Sequence, residues 1–312
     1  MKIKMKLKKS TKILVGAIIL FGVIYAIQRL SFTTSTTENA NPFAKLDTSK
    51  INRISITGAV GEREIIIARE SRGWFIVSPI RFEADRSEIN LLLSAIAGNP
   101  PASVVADNLS DSLAYGLGED APSLGISENI QNGISLRVGS VTPDFDGCYI
   151  ELKGSTRILD LTKNIRTYVS QSLTNWRDRA IFEFRLEDIR EAIFNLGDTT
   201  YHFTHVDTGW QMERVNIPAA RIREVIGDFM GTMALSFVDT ALSMEKSSMD
   251  YEFIIANGSR QSGKLMKESD QTYVSNSAND QTYVAGSLIL DNLERGLREI
   301  SRDFLKNGNS KR

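Results

Sequence analysis

The chain has 312 residues, of which 42% are hydrophobic and 24% are charged, as in a globular protein with room for about two domains. Its formal net charge of −1 excludes the basic footprint that binding to nucleic acid requires. The one cysteine, Cys148, excludes an intrachain disulfide.

The N-terminal stretch predicts a membrane anchor. Residues 13–27 are uninterrupted and apolar, and residues up to 32 extend the run far enough to cross a hydrocarbon core of about 30 Å. Residues 1–12 carry six lysines, which predicts that this basic tail is cytoplasmic. We therefore expect a single-pass protein of the inner membrane, with an uncleaved signal-anchor at 13–32, a flexible tether at 33–45 and an extracytoplasmic remainder. A cleaved signal peptide is the alternative.

The next segment, residues 46–180, predicts a first folded repeat. Period-two apolar residues indicate a strand at 51–56, and two further strands follow before Pro79. Asp85 is a good N-cap for a helix whose apolar face is Ile89, Leu92, Leu93 and Ile96. Short strands are predicted around residues 103–105, 134–138, 148–152 and 157–159. A second helix is predicted with Ile165, Tyr168, Val169, Leu173 and Trp176 on one face.

The same order of elements returns in residues 181–305. Gly73-Trp74, Pro79 and the first helix correspond to Gly209-Trp210, Pro218 and a helix that carries Ile222. A last helix has Ile289, Leu293, Leu297, Ile300 and Phe304 on its apolar side. The agreement in order and spacing predicts an internal duplication, followed by a disordered tail at 306–312.

This order of hairpins and helices predicts an α+β fold class. We expect two tandem repeats of antiparallel sheet with packed helices, preceded by one N-terminal transmembrane helix. Strict alternation of strand and helix is missing, so a doubly wound parallel sheet is not expected. The second repeat lacks a counterpart to Tyr115-Gly116-Leu117.

Several of these motifs together resemble the bacterial family of domain of unknown function DUF4340. They are the anchor, Gly73-Trp74 with Pro79, Ala84-Asp85 before a helix, Tyr115-Gly116-Leu117, Gly147-Cys148-Tyr149 and Trp176-Arg177-Asp178-Arg179. The resemblance spans most of residues 46–240 and weakens toward the C-terminus. It implies an accessory role at the cell envelope, beside ABC-type transporter or gliding-motility components, and it supplies no catalytic residues.

The sequence offers no catalytic, cofactor-binding or metal-binding residues that we would assign. His202 and His205 are three apart on a predicted strand, so they lie on opposite faces and do not share a metal. Asp144-Phe145-Asp146-Gly147 resembles the opening of a calcium loop, but Ser155 stands where that loop needs a glutamate. We expect a polar turn there. Cys148 lies on an apolar strand and is expected to be a buried, unreactive thiol.

Seven residues are candidates for partner binding or for contacts between the repeats. Trp74 and Trp210 hold equivalent positions, where an aromatic ring usually closes the core and ligand stacking is the alternative. We expect Arg177 and Asp178 to fix the junction of the repeats in an ion-pair network, with a partner-binding patch as the alternative. The full set is Trp74, Tyr115, Trp176, Arg177, Asp178, Arg179 and Trp210.

These observations predict a non-catalytic, membrane-anchored, extracytoplasmic accessory protein that docks an envelope complex, with ABC-type transporter subunits as partners. One alternative is a protein that binds a glycan or peptide ligand in a groove between the repeats. Another is a hydrolase without a recognised motif. The sequence contains none of the motifs G-x-S-x-G, G-x-x-x-x-G-K-[ST] and G-x-G-x-x-G.

Overall fold

The computed structural model describes residues 41–58, 63–129, 132–240 and 242–305. The predicted basic tail, the transmembrane segment, most of the tether and the C-terminal tail lie outside these residues. Within them, no helix is both long and apolar enough to cross a membrane. The end of the predicted tether belongs to the folded protein, because the Phe43 side chain is 3% exposed and its N–H donates to Asn41 Oδ1 at 2.8 Å.

The first sheet has nine antiparallel strands in the order β4-β3-β2-β1-β6-β7-β8-β9-β5. Alternating isoleucines place Ile54 and Ile56 of the first strand in the core, where Ile67 and Ile76 join them. The strands are β1 Arg53–Thr57, β2 Ile65–Glu70, β3 Gly73–Ser78, β4 Phe82–Glu83, β5 Ala102–Ala106, β6 Ser123–Ser127, β7 Gly133–Val141, β8 Cys148–Leu152 and β9 Ile158–Leu161.

The second sheet repeats this topology, in the order β13-β12-β11-β10-β15-β16-β17-β18-β14. Its core is aromatic where the first is aliphatic: Phe182, Phe194, Phe229, Tyr251 and Phe253 meet mostly edge to face. The strands are β10 Ile189–Leu196, β11 Thr199–Val206, β12 Gly209–Met212, β13 Val215–Ile217, β14 Ser236–Val238, β15 Met249–Ile255, β16 Arg260–Glu268, β17 Gln271–Asn276 and β18 Gln281–Ala285.

Helices occupy the same two places in each copy, after the fourth strand and after the ninth. Helix α1 buries Ile89, Leu92 and Ile96, as its periodicity predicts. The α-helices are α1 Arg86–Ala97, α2 Arg166–Val169, α3 Leu173–Trp176, α4 Ala219–Ile222, α5 Asp228–Met230 and α6 Ile289–Ile300. A π-helical turn, Arg223–Gly227, joins α4 to α5, and another, Ser301–Leu305, follows α6. Short 3-10 turns span Ser112–Tyr115 and Leu186–Asp188.

The tandem antiparallel sheets are confirmed, but the described fold is mainly β and contains less helix than the α+β prediction implied. The single helix predicted from Ile165 to Trp176 is two one-turn helices, because the backbone is extended at Ser172, with ψ of 162°. Strands β4, β6, β13 and β16 were not predicted. Two of them are only two or three residues long, and β16 is polar over much of its length.

Contacts divide the chain into two compact units. The first unit contains the described residues up to Arg81 together with Arg86–Gln171, and the second contains Phe82–Asp85 together with the described residues from Ser172 onward. Phe82–Asp85 and residues 172–180, which the sequence pattern placed in the first repeat, therefore group with the second unit.

Candidate functional site

The paired tryptophans are core residues of their own sheets. Trp74 is 8% exposed and lies opposite Arg69, whose guanidinium carbon is 6.0 Å from the ring centroid. Trp210 is 5% exposed and stacks on its cross-strand neighbour His205, at 4.9 Å and 17°. Each ring therefore packs in the same way, under a nitrogen-rich side chain of the neighbouring strand.

Two of the sequence motifs, separated by about ninety residues, are joined by backbone hydrogen bonds within the second unit. The Asp85 N–H donates to the Trp176 carbonyl at 2.9 Å, and the Asp178 N–H donates to the Glu83 carbonyl at 2.9 Å. This pairing gives both motifs a structural role. It also fixes the place from which Arg177 projects.

The Arg177 guanidinium is buried between two aromatic rings. It is 2% exposed, and its carbon lies 4.3 Å from the Phe82 ring centroid and 3.6 Å from that of Phe237. Nη1 donates to Asp239 Oδ1 at 2.7 Å, and Nη2 donates to Gln281 Oε1 at 3.1 Å. Burial lowers the pKa of Arg177, and the hydrogen bond to Asp239 opposes that shift.

The neighbours of Arg177 also have structural partners. Asp178 does not pair with Arg177; its Oδ1 accepts from the Ala180 N–H at 2.9 Å. The Arg179 carbonyl accepts from the Ala234 N–H at 2.8 Å, and Trp176 is 0% exposed. Burial of Trp176 and Arg177 leaves almost no surface for a partner, so we interpret this segment as a framework of the second unit.

Tyr115 is a half-buried candidate residue of the first unit. The Ser112–Tyr115 turn ends at Gly116, whose φ of 70° lets the chain fold back onto strand β7. A Cβ on Gly139 of that strand would lie 2.2 Å from the Tyr115 carbonyl oxygen, so the glycine permits this close approach. The half-buried Tyr115 ring meets Tyr149 edge to face at 4.8 Å.

Two loops meet at this tyrosine pair, and we call them the two-loop surface: residues 107–122 and residues 142–147. Both are longer than their counterparts in the second sheet, with sixteen residues against ten between the fifth and sixth strands, and six against two between the seventh and eighth. Each presents one strongly exposed apolar side chain, Leu113 at 80% and Phe145 at 79%. The sequence analysis did not single out either residue.

The two-loop surface is acidic. Its loops contain six carboxylates and no lysine or arginine: Asp107, Asp111, Glu119, Asp120, Asp144 and Asp146. A hydrogen bond from Thr142 lowers the pKa of Asp144, so this side chain stays ionised. Burial, together with the Asp144 charge, raises the pKa of Asp160 on the adjoining strand. Burial also raises the pKa of Tyr149, and the charge of Asp160 acts in the same direction.

No metal site accompanies this charge in the described part of the chain. Asp144 accepts from the Asp146 N–H at 3.3 Å within the polar turn that the sequence predicted. Among the described residues, no group of three or more His, Cys, Asp and Glu side chains could hold a metal ion. His202 bonds to Glu191 at 2.7 Å and His205 stacks on Trp210, so the two histidines have separate partners.

Cys148 is buried in the first unit. Its side chain is 0% exposed, its Sγ lies 3.5 Å from the Lys163 carbonyl oxygen, and burial raises its pKa. The thiolate is the reactive form, so both accessibility and ionisation disfavour reaction in the folded state.

We expect Cys148 in the native chain to react with iodoacetamide at pH 8 roughly 10³-fold more slowly than in urea, because alkylation requires opening of the first unit. Mass spectrometry of the alkylated fraction over time measures both rates on the same protein. Alkylation of the native chain at the urea rate would contradict this assignment.

The second unit has an open polar cleft of about 440 Å³ on strands β15 to β18. Charged, amide and hydroxyl side chains line it, among them Asp250, Glu252, Lys264, Ser275 and Gln281. The lining aromatic residue, Tyr251, is 2% exposed and donates from its hydroxyl to the Ser275 carbonyl at 2.7 Å. The sequence analysis predicted no site here.

The comparisons with known proteins identify a family. The family model described as Domain of unknown function (DUF4340) matches residues 74–250, which is more than half of the chain. Comparison with curated proteins gave no match, and neither did comparison with solved structures. The matched region includes Tyr115, both loops of the two-loop surface and the Trp176–Arg179 motif. The chain therefore belongs to the DUF4340 family.

Proposed function

We propose that this protein is a non-catalytic, membrane-anchored interaction protein of a cell-envelope complex, and that the complex is an ABC-type transporter. The apolar run at 13–32 after six lysines supports the anchor and an extracytoplasmic position for the folded units. The docking element in this proposal is the two-loop surface of the first unit.

The observation that carries the proposal is the difference between the two copies. Both sheets have the same strand order, so the shorter loops of the second sheet suffice to connect its strands. The extra length in the first sheet is therefore not needed for the topology. Loops that are elaborated on a rigid scaffold, and that expose apolar side chains, are a common feature of binding surfaces.

Phe145 gives the sharpest sign of a binding role. Its φ of 66° is in the left-handed region, which is unfavourable for a bulky residue, and its side chain is 79% exposed. Neither feature stabilises the isolated chain. A turn that holds an aromatic ring in solvent is consistent with an anchor residue that is buried when a partner docks.

We expect Phe145→Ala to weaken binding to the partner about 30-fold, which corresponds to about 2 kcal/mol, because interface anchors contribute on that scale. The first measurement is photocrosslinking in cells that express the full chain. A photoreactive residue at position 145 or 113 should capture the same envelope protein, identified by mass spectrometry as a transporter subunit.

The matched control is a photoreactive residue at Asp270, in the two-residue turn that corresponds to the Phe145 turn in the second sheet. It should not capture that protein. Once the partner is known, its affinity for the wild-type and Phe145→Ala chains gives the fold-change directly. Equal capture from positions 145 and 270, or capture from neither 113 nor 145, would remove the support for this function.

A further inference from the structure

Arg137 and Lys264 hold the same position in the two copies. Each is the fifth residue of a nine-residue strand, β7 or β16. The registers agree, because the next residue of each strand, Val138 or Leu265, pairs with the residue that follows Tyr149 or Tyr273. What surrounds these two cations can therefore be compared position by position.

In the first unit, a loop contacts this position, where the Arg137 side chain is 36% exposed. Arg137 Nε donates to Glu151 Oε2 at 3.0 Å, and Arg137 Nη1 donates to the Gly118 carbonyl at 3.3 Å. The Tyr115 ring of the same loop meets Tyr149 at 4.8 Å, and its carbonyl oxygen lies 2.2 Å from the place that a Cβ on Gly139 would take. Loop 107–122 thus lies over the outer face of the sheet, and Glu151 beneath it is 8% exposed.

In the second unit, Lys264 is also half-buried, and it lines the cleft. Ser275 stands in place of Glu151, and its Oγ accepts from the Lys264 N–H at 2.9 Å. Asp250 is the cross-strand neighbour of Lys264 on β15, but Lys264 makes no ion pair within the described part of the chain. The connection from β14 to β15 has ten residues where the first unit has sixteen, and the cleft of about 440 Å³ occupies the uncovered face.

We infer that this cleft binds a polypeptide segment of a partner protein, which takes the place that loop 107–122 takes on the first sheet. The segment would present a backbone carbonyl to Lys264, as Gly118 does to Arg137. The site lies in the second unit and needs no contribution from the two-loop surface.

The charge of the cleft specifies the segment further. Asp250, Glu252 and Asp280 line it against the one lysine, although Glu252 also pairs with Arg260 at 2.8 Å. A net negative lining favours a segment with a basic side chain over an acidic one. The serine hydroxyls and the Gln281 amide suit the alternating N–H and C=O groups of a peptide backbone, and the volume is typical of a ligand site.

The test is selection of a phage-displayed library of random twelve-residue peptides on the full chain in detergent. Counter-selection uses Ser275→Glu, which places a carboxylate beside Lys264 as Glu151 lies beside Arg137. The resulting ion pair within the chain should prevent Lys264 from binding a ligand. We expect enriched peptides that contain a basic residue. Their Kd values, from fluorescence polarisation, should rise about tenfold or more in both Lys264→Ala and Ser275→Glu.

Three comparisons make the result specific. Lys163→Ala, at an exposed lysine of the first unit, and Phe145→Ala should both leave peptide affinity unchanged. Thermal unfolding of each variant checks that the second unit remains folded, and Lys264→Arg should retain binding. Failure to enrich any peptide that distinguishes wild type from Ser275→Glu overturns the inference. Binding of chitotetraose that Ser275→Glu abolishes, without peptide binding, overturns it in favour of a saccharide site.

Discussion

Replacing Arg177 with alanine is expected to lower the free energy of unfolding of the second unit by about 3 kcal/mol, the scale of a lost large buried side chain and its cation–π contacts. The substitution empties the space between the Phe82 and Phe237 rings. It also removes the donors to Asp239 and Gln281. Few single changes in the second unit remove as many contacts at once.

The series at this position separates charge from packing. Arg177→Lys keeps the charge but loses the planar stacking and the second hydrogen bond, so we expect an intermediate loss of about 2 kcal/mol. Arg177→Met keeps much of the volume between the rings, and Asp239 is half exposed and can be hydrated. The methionine variant should therefore be more stable than the alanine variant.

Urea unfolding followed by tryptophan fluorescence measures these differences, because Trp176 and Trp210 both belong to the second unit. Arg190→Ala, at an exposed arginine of strand β10, is the control and should change stability by less than about 0.5 kcal/mol. Cys148 alkylation reports on the first unit in the same samples. An Arg177→Ala variant as stable as the control would show that the buried guanidinium does not stabilise the second unit.

A methyl group at Gly139 is expected to dislodge loop 107–122 from the first sheet. The added Cβ would lie 2.2 Å from the Tyr115 carbonyl oxygen and 2.9 Å from Leu117 Cγ, and neither a backbone atom nor a fully buried leucine can move away freely. We expect Gly139→Ala to lower the free energy of unfolding of the first unit by about 2 to 3 kcal/mol. It should also abolish crosslinking from position 113.

Native-state alkylation of Cys148 measures the first effect, since its rate should rise in proportion to the opening of the unit. Gly98→Ala is the matched control. Its Cβ would make only ordinary contacts, of 3.6 Å or longer, and its backbone needs no left-handed conformation. If Gly139→Ala retained both slow alkylation and crosslinking from position 113, the close approach of the loop would have no consequence for binding.

Local periodicity accounts for the parts of the fold that the sequence predicted. Alternation identified strand β1, the i, i+3, i+4 pattern identified helix α1, and the recurrence of Gly73-Trp74 at Gly209-Trp210 identified the duplication. Strand β16 escaped because only two of its nine residues are apolar and these are adjacent, while its polar part includes Gly263 and Lys264. Gly263 and Lys264 line the cleft, so the polar composition that prevented prediction of the strand also contributes to the candidate binding site.

The sites were harder to predict than the fold, because their residues are brought together from distant segments. No spacing rule relates the residues around the buried guanidinium, which are separated by up to about two hundred positions: Phe82, Arg177, Phe237 and Gln281. Tyr115 was found because the second copy lacks its counterpart. A comparison of loop lengths between the copies would also have identified Phe145, but that comparison requires strand ends that periodicity alone does not locate.

The grouping of Phe82–Asp85 with the second unit affects how the chain is made. A fragment that begins at Ser172 keeps Arg177 but lacks the Phe82 ring that packs against it and the backbone partners of Trp176 and Asp178, so residues 172–305 alone are an incomplete second unit. During synthesis, Phe82–Asp85 emerge about ninety residues before Trp176, which is a delay of roughly 5 to 20 s at ordinary elongation rates. The Phe82–Asp85 segment must therefore remain able to pair until Trp176 and Asp178 have been synthesised. We therefore expect the second unit to complete its packing only after residues 172–178 have been synthesised.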